Sequence, residues 1–334
     1  SFKGEHNMET NVRIISTASY IPSKKVTNKD LTQFFSTSDE WIVSRTGIKE
    51  RHVVVNETTT DLCCQVGKRL VESSGISPKD IDFIIVATMT PDNATPSVAC
   101  VVQEKIEADN AFAYDISAAC SGFLFALSLS EKILRNSDNK IGLVIGGDTI
   151  SKILNWKDRS TAVLFGDGAG GVVLRKEKGN SFIIGEKLCT ERKKNSALLA
   201  RIGDNQSPFY EGTIVGENGL KMDGKKIFAF VLKDVYKNII EVLKKSLVDI
   251  NDIDYFLFHQ SNGRLIEKLS EKLKIDKSKC LINLEKYGNT AAASLPILLD
   301  EAVKNKKIGI GSGKLILLVG YGGGLSYGSM IIKI

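Results

Sequence analysis

Short, uninterrupted apolar runs recur along this chain between charged or glycine-rich stretches: Phe83-Ile-Ile-Val-Ala87, Gly142-Leu-Val-Ile-Gly146, Gly171-Val-Val-Leu174, Tyr255-Phe-Leu-Phe258, Leu315-Ile-Leu-Leu-Val319 and Ser329-Met-Ile-Ile-Lys-Ile334. Runs of this size that do not alternate with polar residues predict strands buried on both faces. Helix-like stretches, Thr60 to Ser73 and Phe228 to Ser246, precede two of them. Strands alternating with long amphipathic helices predict an α/β protein whose parallel sheets are covered by helices.

The pattern occurs twice. Asp80-Ile-Asp-Phe-Ile-Ile-Val86 returns 172 positions later as Asp252-Ile-Asp-Tyr-Phe-Leu-Phe258, and Gly142-Leu-Val-Ile-Gly146 returns as Leu315-Ile-Leu-Leu-Val-Gly320, each time followed by a glycine-rich turn and another apolar strand. This predicts two duplicated halves, residues 1–174 and 227–334. Between them, residues 175–226 are polar, carry Glu191-Arg-Lys-Lys-Asn195 and the glycines of Gly212 to Gly224, and read as a connecting excursion with little core.

Three junctions in this plan hold candidate chemistry. Asp115-Ile-Ser-Ala-Ala-Cys120-Ser-Gly-Phe123 delivers a cysteine to a strand-to-helix turn of small side chains. At such a helix start the dipole is expected to lower the thiol pKa from its usual value of about 8.5, making a nucleophile. His259 ends the strand Tyr255-Phe-Leu-Phe258, and Asn289 lies in Tyr287-Gly-Asn289-Thr-Ala-Ala-Ala-Ser294, a second small-residue turn before a helix. Taken singly, these residues read as a buried small thiol, a capped strand end and a helix N-cap. Two related halves would instead bring all three strand ends to one cleft, where open α/β sheets place ligands.

Composition narrows the classes. The 334 residues are 43% hydrophobic and 25% charged, as in soluble globular proteins, and the apolar runs fall far short of the roughly 20 residues of a membrane helix. Six cysteines without a CxxC pair point to a reducing compartment. The polar start, Ser1 to Asn11, lacks Met and reads as a trimmed end or the remnant of a removed transit peptide. A net charge of +6 favours acidic partners, yet the basic residues are scattered without a nucleic-acid motif, so an acidic protein or a phosphorylated ligand fits better. Three scattered histidines give no metal-ligand set, and Gly309-Ile-Gly-Ser-Gly313-Lys314 lacks the length and the Ser or Thr of a phosphate loop.

Duplicated halves with a Cys/His/Asn set resemble the thiolase superfamily, and the chain is most similar to the β-ketoacyl-acyl carrier protein synthase III family. Further motifs carry that resemblance along nearly the whole chain: Thr37-Ser-Asp-Glu-Trp41-Ile-Val-Ser-Arg45-Thr46-Gly-Ile48, Asp158-Arg159, Phe165-Gly-Asp-Gly-Ala-Gly170, His259-Gln-Ser-Asn262-Gly-Arg264 and Gly320-Tyr-Gly-Gly-Gly324. Only His6, His52 and His259 are present, none after His259, which separates the chain from elongating relatives that use a second histidine there. The resemblance implies two βαβαβαββ halves in five layers, αβαβα, working as a homodimer. It implies no cofactor, acyl-CoA being a substrate, and a decarboxylative Claisen condensation of acyl-CoA with malonyl-acyl carrier protein.

In that reading Cys120 is acylated, while His259 Nε2–H and the Asn289 amide hold the enolate oxygen. Asn is no base, so proton transfer falls to His. The amides of Cys120 and, by resemblance, Gly323 form the oxyanion hole. Trp41, Arg45, Thr46, Arg159, Phe228 and Asn262 resemble the family's CoA contacts, with Trp41 and Arg159 sandwiching adenine. Thr95 matches the position that closes the partner subunit's acyl pocket, where a smaller residue than Phe admits longer primers. Arg264, Lys268 and Lys272 form a helical basic stripe for carrier docking, interleaved with Glu267 and Glu271 that could equally make it a salt-bridged face. Ala229 departs from the basic residue often found near the CoA channel. The implied compartment is a plastid matrix, apicoplast-like, or the bacterial cytoplasm. The alternatives are a relative that makes a secondary metabolite and a non-catalytic acyl-CoA-binding module.

Overall fold

The computed structural model describes residues 10–179, 182–201, 203, 209 and 218–334. His6, nearly all of the polar start and Gly212 lie outside the described residues. In the first half, β1 (Thr10–Tyr20) is followed by a β2–β3 ribbon (Lys24–Thr27, Glu50–Val53) that brackets α1 (Asp39–Thr46). Then come α2 (Thr59–Ser74), β4 (Phe83–Ala87), α3 (Val98–Lys105), β5 (Phe112–Ile116), α4 (Gly122–Arg135), β6 (Ile141–Asp148), the short α5 (Arg159–Ala162) and β7 (Gly168–Lys178). Apart from the ribbon with α1, and α5, this is βαβαβαββ.

The second half repeats it. It begins with β8 (Ile183–Thr190) and a small β9–β10 ribbon (Leu198–Arg201, Gly219–Met222). Next, α6 (Gly224–Phe230) runs through a π-helical turn, Val231–Val235, into α7 (Tyr236–Ser246). The chain continues through β11 (Tyr255–Phe258), α8 (Gly263–Leu273), α9 (Leu284–Tyr287), α10 (Ser294–Lys304), β12 (Leu315–Tyr321) and β13 (Ser326–Lys333). The second sheet therefore starts at Ile183, inside the segment read from sequence as a coreless excursion: β8 is its outer strand, hydrogen-bonded to β13. Half-buried residues along β8 make its pattern too polar to read as a buried strand.

The two sheets have matching orders, β1-β7-β6-β4-β5 and β8-β13-β12-β11, with β4 parallel to β5 and β6, and β11 parallel to β12. Where the first sheet has β5, the second has a single parallel bridge between Phe256 and Cys280. Small details repeat too. Asp82 accepts the Ile141 N–H at 2.8 Å, and Asp254, 172 positions on, accepts the Leu315 N–H at 2.8 Å, so each aspartate anchors the start of the neighbouring strand.

Side chains alternate across each strand between two cores, as the two-residue period requires. On β4, Phe83, Ile85 and Ala87 enter the core between the sheets, whereas Ile84 and Val86 face α2 and α3. On β12, Ile316 and Leu318 face inward while Leu317 and Val319 face the outer core with α7 and α8. Helices α4 and α10 fill the middle, touching strands of both sheets, and the five layers are α, β, α, β, α. No helix among the described residues is long and apolar enough to cross a membrane.

Candidate active site

The nucleophile candidate sits in a turn that the chain builds twice. Ala119 is held at φ 47° and Ala291, 172 positions later, at φ 51°, and each occurs in a single 3-10 turn ahead of a central helix. Left-handed backbone is costly for a residue with a Cβ, so its recurrence marks a turn fixed by its surroundings. In the first copy the next residue is Cys120, in the second Ala292. The glycine turn after β12 packs directly on the cysteine: a Cβ on Gly322 would lie 2.7 Å from Cys120 Cβ, 2.9 Å from its N and 3.1 Å from Sγ. The Gly322 N–H is occupied within the turn, donating to the Ser326 carbonyl at 3.0 Å.

The thiol differs from expectation. Burial pushes its pKa up to about 12, the nearby Asp148 carboxylate adding to the rise and the backbone N–H of Cys120 opposing it. The dipole of α4 acts only over its first turn and is outweighed by removal of the sulfur from water. Removal from water thus favours the neutral thiol in the unliganded protein. Asp148 was not singled out from the sequence. It is completely buried, accepts from Thr88 Oγ1 (3.0 Å), Met89 N (2.8 Å), Thr90 N (3.1 Å) and Thr90 Oγ1 (2.8 Å), and reaches across the halves to Ala292 N (3.0 Å). Burial holds its pKa up at about 6 against these bonds.

His259 and Asn289 enter the same cavity as Cys120. The His259 N–H donates to Val319 O at 2.8 Å, continuing the β11–β12 ladder, and its ring meets Tyr321 edge-on with centroids 5.1 Å apart. Nδ1 lies 2.7 Å from Ser294 Oγ, and burial lowers the imidazole pKa to about 3. Asn289 is pinned by its N–H to Leu164 O (2.8 Å) and by its own carbonyl, which accepts from Gly166 N (3.0 Å). Its Oδ1 accepts the Ala291 N–H at 2.9 Å, so the amide Nδ2 is the group left for the cavity. Phe165, Leu198, Met222, Phe230 and Tyr321 complete a largely apolar wall. Leu198 and Met222 come from the β9–β10 ribbon, which carried no sequence signal because its two strands are only four residues long and lie in an otherwise polar stretch.

The remaining predicted residues divide. Trp41 is flanked by two guanidiniums, Arg159 at 4.3 Å and Arg45 at 4.9 Å from the ring centroid, so Arg159 already covers a face expected to take adenine. Thr46 is buried and its hydroxyl is spent locally, donating to Ile42 O (2.7 Å) and accepting from Ile48 N (3.0 Å). It is the last residue of α1. Asn262 caps α8 through Arg264 N (2.9 Å) and reaches Arg45 O (3.2 Å), joining α8 to α1. Phe228, on α6, is 38% exposed. Thr95 is exposed and absent from the lining of its own chain's cavity. In the basic stripe, Lys268 pairs with Glu271 (2.8 Å), and Lys272 donates to Leu232 O (2.7 Å) while lying over Tyr236; Arg264 is exposed.

A fold of two matching α/β halves that focuses a cysteine, a histidine and an asparagine on one buried cleft defines a thiolase-fold condensing enzyme. Comparison with known proteins gives the family. Models described as 3-oxoacyl-[acyl-carrier-protein] synthase III and its C-terminal region match residues 114–191 and 243–334. The β-ketoacyl-[acyl-carrier-protein] synthase III of Enterococcus faecalis is 50% identical over 98% of this chain and 100% of its own length. The crystal structure of the 3-oxoacyl-[acyl-carrier-protein] synthase III of Aquifex aeolicus, 39% identical, superimposes with a TM-score of 0.90 over 97% of this chain and 100% of that one. The priming β-ketosynthase of the R1128 polyketide pathway, 30% identical, gives 0.89 over 97% and 96%. The chain belongs to the β-ketoacyl-acyl carrier protein synthase III family, acyltransferase-type condensing enzymes of fatty-acid biosynthesis.

Proposed function

We propose that the protein starts type II fatty-acid synthesis by joining an acyl-CoA, acetyl-CoA by default, to malonyl-acyl carrier protein, with Cys120, His259 and Asn289 as the reacting set. The observation that carries this reading is the convergence of the three side chains on one apolar cavity. Cys120 Sγ attacks the thioester carbonyl, the oxyanion takes hydrogen bonds from the Cys120 and Gly323 amides, the carbon–sulfur bond to CoA breaks, and the thiol proton ends on the CoA sulfur. Malonyl thioester then loses CO₂. The enolate oxygen is held by His259 Nε2–H and the Asn289 amide while the enolate carbon attacks the acyl carbon; the bond from that carbon to Cys120 Sγ breaks, 3-oxoacyl-acyl carrier protein leaves, and the Cys120 thiolate takes up a proton from solvent.

CoA lies across Trp41, Arg45, Arg159 and Phe228, with Arg159 swinging off the indole to admit adenine. The carrier docks around Arg264, the exposed member of the stripe. A second copy of the chain joins along β5, an edge strand whose Phe112 is 44% exposed, and brings Thr95 to the neighbouring acyl pocket. The reaction requires a compartment that supplies acyl-CoA and charged carrier, as the bacterial cytoplasm or a plastid matrix does. The test is to incubate the protein with acetyl-CoA, find the acetyl adduct on the Cys120 peptide by mass, and chase it with malonyl-carrier protein. Asn289→Ala is expected to slow condensation by about 10²-fold and acylation far less, as for removal of one oxyanion donor. Condensation by Cys120→Ser at the wild-type rate would sink the assignment.

A further inference from the structure

Ser294 is the first residue of α10, 2% exposed, and its Oγ sits 2.7 Å from His259 Nδ1. The same oxygen accepts the Gln260 N–H at 3.3 Å. Gln260 is itself immobilised, donating through Nε2 to Phe258 O (2.8 Å) and accepting at Oε1 from Asn283 N (3.0 Å) and Leu284 N (3.2 Å), so the direction of its N–H is set. A hydroxyl has one proton to give. Among the described residues no carbonyl or carboxylate takes it, and a buried hydroxyl left without an acceptor is costly. The proton therefore goes to Nδ1, and a neutral imidazole must then carry its own on Nε2.

The duplication supplies an independent observation. Counting back 172 positions, His259 and Ser294 correspond to Ala87 and Gly122, and a Cβ on Gly122 would lie 3.0 Å from Ala87 Cβ. The junction that neighbours the nucleophile's helix is made of the smallest residues, and the histidine and its serine occur together in the other half. Asn289 follows the same logic, since its Oδ1 is capped by Ala291 N–H. Both side chains have their accepting atom occupied by the protein and turn N–H groups to the cavity.

We propose that Ser294 is a positioning residue that fixes His259 in the Nε2–H form, making the His259–Asn289 pair a donor-only site for the enolate oxygen and removing His259 from the role of base for Cys120. This inference rests on the reading that His259 holds that oxygen. In it Ser294 serves the second half-reaction and not the first.

With only three histidines in the chain, the His259 tautomer can be read by NMR of protein labelled with ¹⁵N-histidine, assigned by His259→Ala. The expected spectrum places the proton on Nε2; a proton on Nδ1 in the wild-type protein overturns the proposal whatever the variants do. Ser294→Ala is expected to mix the tautomers and slow condensation about tenfold, while acyl-Cys120 forms within about threefold of the wild-type rate. Ser294→Thr keeps the hydroxyl and should restore condensation. Equal losses in both half-reactions, or a Thr variant no better than Ala, would assign Ser294 a purely structural role. His259→Ala separates the two ideas: if it condenses normally, the reading of His259 is wrong, whereas a dead His259→Ala beside a fully active Ser294→Ala removes only the role of the serine.

Discussion

A methyl group at position 322 tests how closely the oxyanion turn and the nucleophile are fitted. Gly322 has φ 177°, an extended conformation open to any residue, so Gly322→Ala meets no backbone penalty and its effect is steric alone. The new Cβ would stand 2.7 Å from Cys120 Cβ and 2.9 Å from Cys120 N, against an ordinary separation of about 3.5–4.0 Å between carbons. Cys120 cannot easily retreat, because Ser121 ties the turn to Ala118 O through both its N–H (3.2 Å) and its hydroxyl (2.8 Å). One element must shift by most of an ångström. Overpacking of this kind costs about 1–3 kcal/mol of stability, and a misplacement near 1 Å costs about 10²-fold in rate. Gly323→Ala is the internal control, since its Cβ would meet Ala119 Cβ at 3.3 Å and Leu198 at 3.6 Å while keeping the amide. The assay is the initial rate of acetyl-Cys120 formation by intact mass, with thermal unfolding in parallel. Acylation by Gly322→Ala within threefold of wild type, or a Gly323→Ala that is the worse of the two, would refute the packing argument.

Two further outcomes follow from the same geometry. Because burial and Asp148 hold the Cys120 thiol up at about 12, alkylation of the unliganded protein by iodoacetamide should climb about tenfold per pH unit through pH 7–10 without levelling. Asp148→Asn removes a negative charge that disfavours the thiolate, so above pH 6 it should speed alkylation; a plateau near pH 8 would show that the thiol is activated after all. Arg159→Ala removes the guanidinium that would stack on the bound adenine and should raise KM for acetyl-CoA about three- to fivefold with kcat little changed, as loss of a cation–π contact of about 0.5–1 kcal/mol in the complex implies, and an unchanged KM would remove Arg159 from the CoA site.

The sequence alone specified the duplication, because buried strands must be apolar on both faces and the repeat of Asp80–Val86 at Asp252–Phe258 is written in residue types. It also named Cys120, His259 and Asn289, since small-residue turns at strand ends are a local signal. It failed where meaning depends on what lies across the fold. The strand β8 and the cavity residues Leu198 and Met222 sat in a segment whose polarity looked like loop, and became structural only by pairing with β13 or packing on the cleft. The protonation of the site was beyond local reading altogether. A helix start argues for a thiolate, but removal from water and a carboxylate from β6 act through space and reverse the sign, and the bond from Ser294 to His259 joins residues 35 positions apart. Residue type and spacing fix which groups can react, whereas solvation and the direction of hydrogen bonds, which fix where their protons lie, exist only once distant segments are packed together.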